Sequence, residues 1–116
     1  MQTPAARRVN QLLFAGNETL HAPHLIDLEI AQVLRRYARS GVISADRGDE
    51  ALADLVDFPI TRHPHFVLLE RIWHLRHSLT AYDAAYLALA EALDASLLTR
   101  DGALAKAGSR VRVQVA

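Results

Sequence analysis

The chain has 116 residues, 51% of them apolar, with thirteen basic side chains against thirteen acidic ones and six histidines. This size and apolar share fit a single globular domain with its own core and exclude a disordered chain. A formal net charge of zero gives no global attraction to nucleic acid, so any RNA site has to be a local patch. Cysteine is absent, which excludes disulfides and thiolate metal centres. The apolar runs span only a few residues, far short of the ~20 a membrane span needs. The first residues, through Arg7 and Arg8, lack the apolar stretch of a signal peptide. A soluble, cytoplasmic protein with no membrane partner is expected.

Taken in chain order, Thr3-Pro4 predicts a helix start: Thr caps free N–H groups and Pro suits the first turn. Val9, Leu12 and Leu13 give that helix an apolar face, and Gly16-Asn17 ends it. Residues 19–22 read as a short extended piece closed by Pro23. A helix over residues 24–40 follows, its stripe formed by Ile26, Ile30, Val33, Leu34 and Tyr37, and Gly41 stops it. Ser44 caps a third helix through Val56, with Leu52, Leu55 and Val56 apolar. Residues 59–62 predict a brief strand, and residues 66–77 a helix bearing Leu68, Leu69, Ile72 and Trp73. Thr80 caps an Ala-rich helix to Leu93. Residues 96–99 read as a buried strand ended by Asp101-Gly102. A short Ala-rich helix leads to residues 110–115, whose alternation suits a half-exposed strand. Helices alternating with short strands predict an α/β domain of three layers, α/β/α, around a short parallel sheet. Residues 1–116 show no repeat, linker or low-complexity segment and read as one domain.

Three acids stand where acids are awkward. Glu29 borders the apolar stripe of the second helix, Asp83 lies in the first turn of an Ala-rich helix, and Asp101 follows the carboxyl end of a strand. Each has a plain explanation: a solvated helix edge, a favourable helix dipole and a turn. Together they carry more weight, because a strand-end Asp and a first-turn Asp can meet at one sheet edge beside a helical Glu. Clustered carboxylates repel unless a cation lies between them or their pKa values rise. Oxygen ligands without Cys select Mg²⁺ or Mn²⁺ over zinc. Such a cation activates water and stabilises phosphoryl charge, so the chemistry expected is metal-assisted phosphodiester hydrolysis.

The segments bearing these acids are similar to those of the PIN-domain nucleases of the VapC toxin type. Residues 25–36 after Pro23 resemble the block with the family's helical Glu. Residues 79–90 resemble the block of its third acid, and residues 97–104 that of its fourth, with Thr99 two positions before the acid. The Thr-x-Tyr-Asp-x-x-Tyr and Thr-x-Asp pair is the specific part, and order and spacing match over nearly the whole chain. The resemblance implies a Mg²⁺-dependent endoribonuclease neutralised by a VapB-type antitoxin. It makes Glu29, Asp83 and Asp101 catalytic, metal-binding acids, with Asp83 foremost and Thr99 and Thr80 supporting. The family opens with a hydrophobic central strand ending in Asp, the first metal ligand. Here the chain starts at Met1-Gln2-Thr3-Pro4, so that strand and that Asp are expected to be missing. Neither Asp27 nor Asp46 takes their part. The alternative function is therefore a catalytically inactive module that binds an antitoxin or a like chain.

Other signals are weaker. Arg35, Arg36 and Arg39 cluster at one helix end; the plain reading is a solvated face, and the functional one is phosphate contact by Arg35, Arg36 and Arg100. Leu69 and Trp73 read as core, with a homodimer surface as the alternative. His63, His65, His74 and His77 lack the three or four convergent ligands of a zinc framework, so no metal role is expected of them. The partners expected are an RNA substrate, an antitoxin and a second copy of the chain.

Overall fold

The periodic stripe of the second predicted helix forms as its spacing requires. In the computed structural model, which describes residues 11–14, 19–99 and 111–115, Leu25–Ser40 is a helix, α1. It buries Leu25, Ile26, Ile30 and Leu34, and leaves Val33 half-buried. Gly41, at φ +79°, ends it in the left-handed region that glycine enters without penalty. A second helix, α2, spans Ala45–Asp57. Its cap is Ser44, whose hydroxyl accepts the Arg47 N–H at 3.0 Å. Ala51 and Leu55 form the buried face of α2, whereas Leu52 and Val56 are exposed. Helices α1 and α2 pack on each other, and Leu25–Pro59 is a compact unit of its own.

The second unit contains the sheet and the remaining helices. Its strands are β1 (Gln11–Phe14), β2 (Leu20–Pro23), β3 (Ile60–His63), β4 (Ser96–Thr99) and β5 (Val113–Val115). They lie in the order β3-β2-β1-β4-β5. Strands β2 and β3 pair in parallel, as do β4 and β5, which is the parallel pairing expected of alternating strands and helices. Between the two parallel pairs runs β1, antiparallel to both neighbours. The helix expected over residues 3–17 therefore does not extend across Gln11–Phe14. Only two of its apolar residues, Leu12 and Leu13, fall there, and the open ladders of β2 and β4 offer backbone partners that outweigh so weak a helical pattern. The rest of that predicted helix lies outside the described residues, as do the turn at Asp101-Gly102 and the Ala-rich helix after it.

Directly paired residues share a face of the sheet, so His21, Leu13, Leu97 and Val113 form one row across β2, β1, β4 and β5. Leu13 and Leu97 in that row are fully buried. Pro23 ends β2 beyond the reach of β1, where its missing N–H breaks no ladder bond on that side.

A 3₁₀ turn, Phe66–Leu68, leads into the short helix α3, Leu69–His74. Leu68, Ile72 and Leu75 face inward. Leu69 and Trp73, read above as core, are exposed (55% and 65%), as are Phe66 and Val67. The reason is geometric: each lies one position, about 100° of helix, past the buried stripe. Trp73 instead carries the Arg76 guanidinium 4.5 Å from its ring centroid.

The last described helix, α4, spans Ala81–Leu93 and packs against β1, β2, β4 and α3. Seven consecutive residues, Ala84 to Ala90, are buried, which marks a helix covered on more than one side. Its alanines let the neighbouring elements come close. Arg71 of α3 clamps Glu91 of α4 with two hydrogen bonds of 2.6 and 2.9 Å. The Glu91 carboxylate bonded to it raises the pKa of Arg71 further, so the clamp stays charged. Asp94 closes α4 at φ 51°, its N–H donating to the Ala90 and Glu91 carbonyls.

Candidate active site

Asp83 is the best defined of the expected site residues. Thr80, in an extended conformation, caps α4, and its Oγ1 accepts the Asp83 N–H at 3.2 Å. That bond is the local reason the helix begins where it does, and it holds Asp83 in the first turn. The carboxylate is half-buried at the positive end of the helix dipole, where a negative charge is favoured. Tyr82 on one side is exposed, and Ala84 on the other is fully buried, so Asp83 stands at the boundary between solvent and core.

Thr99 ends β4 and is fully buried, the only polar residue among the described ones to be so. Among the described residues no buried side-chain nitrogen or oxygen lacks a hydrogen-bond partner, so Thr99 is held rather than stranded. A buried hydroxyl at a strand end is costly unless it is bonded, and it therefore fixes the geometry around it. Chain direction brings it toward Asp83. Helix α4 passes through Asp94 and Ala95 into β4, so the strand runs back along the helix toward its N-terminal turns.

Glu29 belongs to the other unit. It lies on α1, one position before the buried Ile30, and is itself exposed. Arg35 and Arg36 are on the same helix and are also exposed. Asp101 and Arg100 lie outside the described residues. Thus the structure brings together Thr80 and Asp83, and sets Thr99 at the end of a strand packed on the same helix. Among the described residues no group of three or more His, Asp or Glu is arranged to hold a metal ion. No helix among them is long and apolar enough to cross a membrane.

Sequence reasoning missed one polar arrangement. His21 and His63, on the adjacent strands β2 and β3, meet ring to ring, and Thr19 joins them. No sequence spacing could reveal it, since the partners are far apart in the chain and meet only through the β2–β3 register.

The PIN domain family model matches residues 2–109. The chain belongs to the PIN-domain family. That fold is the three-layer α/β/α architecture expected from the alternation of helices and strands. Within the family the chain is a VapC member. It is 46% identical to a VapC ribonuclease of Mycobacterium bovis over 101 residues, 87% of this chain and 78% of that protein. It is 48% identical to ribonuclease VapC1 of Mycobacterium tuberculosis over 88 residues, 75% of this chain and 66% of that protein. Ribonuclease VapC12 of the same organism is 35% identical over 106 residues, 91% of this chain and 81% of that protein.

Proposed function

We propose that this VapC-family PIN domain is an endoribonuclease, the toxin half of a toxin–antitoxin pair. It hydrolyses RNA phosphodiesters with a Mg²⁺ or Mn²⁺ ion held by Asp83, Asp101 and Glu29. The observation that carries the reading is the half-buried Asp83 at the capped start of α4, with the buried Thr99 at the end of the strand that returns along that helix. Asp83 is ten residues before Leu93, about 15 Å of helix axis. Asp101 is two residues past Thr99, the last residue of β4.

The donor set fits a hard cation, because it offers carboxylate oxygens and hydroxyls and no sulfur. When bound, such an ion supplies an activated water and stabilises charge on the phosphoryl oxygen. The protein's own part is to hold the ligands. Thr80 fixes Asp83 through its N–H, and Thr99 anchors the strand end from which the chain proceeds to Asp101. Arg35, Arg36 and Arg100 are proposed to contact RNA phosphates, which positions the strand without reading its bases. The expected partners are an RNA substrate, a VapB-type antitoxin and a second copy of the chain, and the expected compartment is the cytoplasm.

The test is cleavage of a labelled RNA by the purified chain with Mg²⁺ or Mn²⁺, alongside thermal melts. Cleavage is expected to need the metal and to fall at least 100-fold in Asp83→Asn, and the metal is expected to raise the melting temperature only in the wild type. An Asp83→Asn protein with an unchanged metal response would move the site elsewhere. A well-folded wild type with no metal response and no cleavage would make the chain a binding module.

A further inference from the structure

Away from the acidic residues, four histidines lie on or just past β2 and β3: His21, His24, His63 and His65. In the parallel ladder His21 pairs with Thr61 and Pro23 with His63. Residues two apart on a strand share a face, so His21 and His63 project to the same side, one step apart along the ladder. His21 Nδ1 and His63 Nε2 are 2.9 Å apart. The other ring nitrogen of His21, Nε2, is 2.9 Å from Thr19 Oγ1. The His24 N–H donates to the His63 carbonyl at 2.8 Å, so the chain leaving β2 is pinned beside the end of β3. The His24 ring meets His65 edge-on, with centroids 6.1 Å apart.

We propose that His21 and His63 form a two-imidazole chelate for a borderline divalent transition-metal ion, Zn²⁺ or Ni²⁺ in class, with Thr19 orienting the His21 ring and water filling the other positions. Imidazole nitrogens suit these ions, and hard Mg²⁺ prefers oxygen, so the site differs in chemistry from the carboxylate one. Two nitrogens each about 2.0–2.1 Å from a tetrahedral ion stand about 3.3 Å apart. The observed pair needs to open by a few tenths of an ångström, and each ring has to turn so that its nitrogen faces the ion and not the other ring. With Nδ1 on the ion, His21 keeps its proton on Nε2 and donates it to Thr19 Oγ1. A ligating histidine makes this same outer hydrogen bond to hold its ring orientation. The two rings are carried by hydrogen-bonded strands, so the backbone and not a loop sets their separation. Both are half-buried and open to an ion from solvent.

No third ligand converges on the pair among the described residues.

The experiment titrates the untagged, chelator-treated chain with Ni²⁺ and Zn²⁺, read by calorimetry and by the histidine ring signals in NMR. One ion is expected to bind, with the His21 and His63 signals shifting or broadening most. His21→Gln and His63→Gln, which keep polar side chains of moderate size, should each weaken binding at least tenfold while melting as folded proteins. Thr19→Val should weaken it severalfold. Asp83→Asn should leave it unchanged, which separates this site from the carboxylate one. Unchanged affinity in both histidine variants, or no ring-signal change at millimolar Ni²⁺, would overturn the proposal and leave the pair sharing only a proton.

Discussion

At the scale of single residues, the two polar arrangements of this protein differ in how they arise. The Thr80–Asp83 bond joins positions three apart, and a hydroxyl followed three residues later by an acid before an apolar run is a local helix-start signal. Ser44 caps α2 in the same local way. Both were legible because a helix N-terminus is decided by its own few residues. The His21–His63 contact spans 42 positions and exists only once β2 and β3 are paired in register, so no local pattern could announce it. It has a measurable consequence. An unfolded histidine titrates near 6.5, and partial burial with His21 and His24 nearby sets His63 below that in the folded chain. Between the two pKa values the unfolded state binds more protons, so stability should fall as pH drops from about 6.5 through the folded value and level off below it. Urea midpoints of the chelator-treated protein at several pH values between 7.5 and 5 would measure this. His63→Gln should flatten that part of the profile; a profile of unchanged shape would mean that another group controls acid sensitivity.

At the scale of elements, the fold is legible in the sequence where an apolar stripe runs for several turns. Ile26, Ile30 and Leu34 fix the orientation of α1 because sixteen residues repeat the pattern. The helix after residue 66 was harder. Its pattern is shared between a 3₁₀ turn and a six-residue α-helix, and the change of pitch rotates the stripe. Leu68, Ile72 and Leu75 therefore turn inward, and Leu69 and Trp73 turn outward. Truncation separates the two faces. Leu34→Ala and Ile72→Ala each remove a buried side chain and should cost about 2–5 kcal/mol. Trp73→Ala loses the ring stacked on Arg76 and should cost about 1 kcal/mol or less, despite removing more atoms. Chemical denaturation of the three variants ranks them directly. A Trp73→Ala loss as large as that of Ile72→Ala would put the indole back in the core.

At the scale of the molecule, the sheet depends on a strand that the sequence hid. Residues 11–14 have too few apolar positions to declare a period, and the same Leu-Leu pair serves a helix face or a strand equally well. What decides is non-local: β2 with β3 and β4 with β5 are parallel pairs, and each has an inner edge whose backbone groups need partners. β1 satisfies both edges at once, with Leu13 opposite His21 on one side and Leu97 on the other. A strand bonded on two sides is slower to open than an edge strand, because its amides are freed only when both pairings part. Hydrogen exchange is therefore expected to be slower in β1 and β4 than in the edge strands β3 and β5. Leu13 is fully buried at the centre of its row, so Leu13→Ala should cost about 2–5 kcal/mol. The half-buried Val113, in the same row but on the edge strand β5, should cost clearly less on truncation. If β1 amides exchange as fast as those of β5, and Leu13→Ala is as mild as Val113→Ala, then β1 does not join the two parallel pairs in solution. The sheet would then have to be described as two separate ribbons.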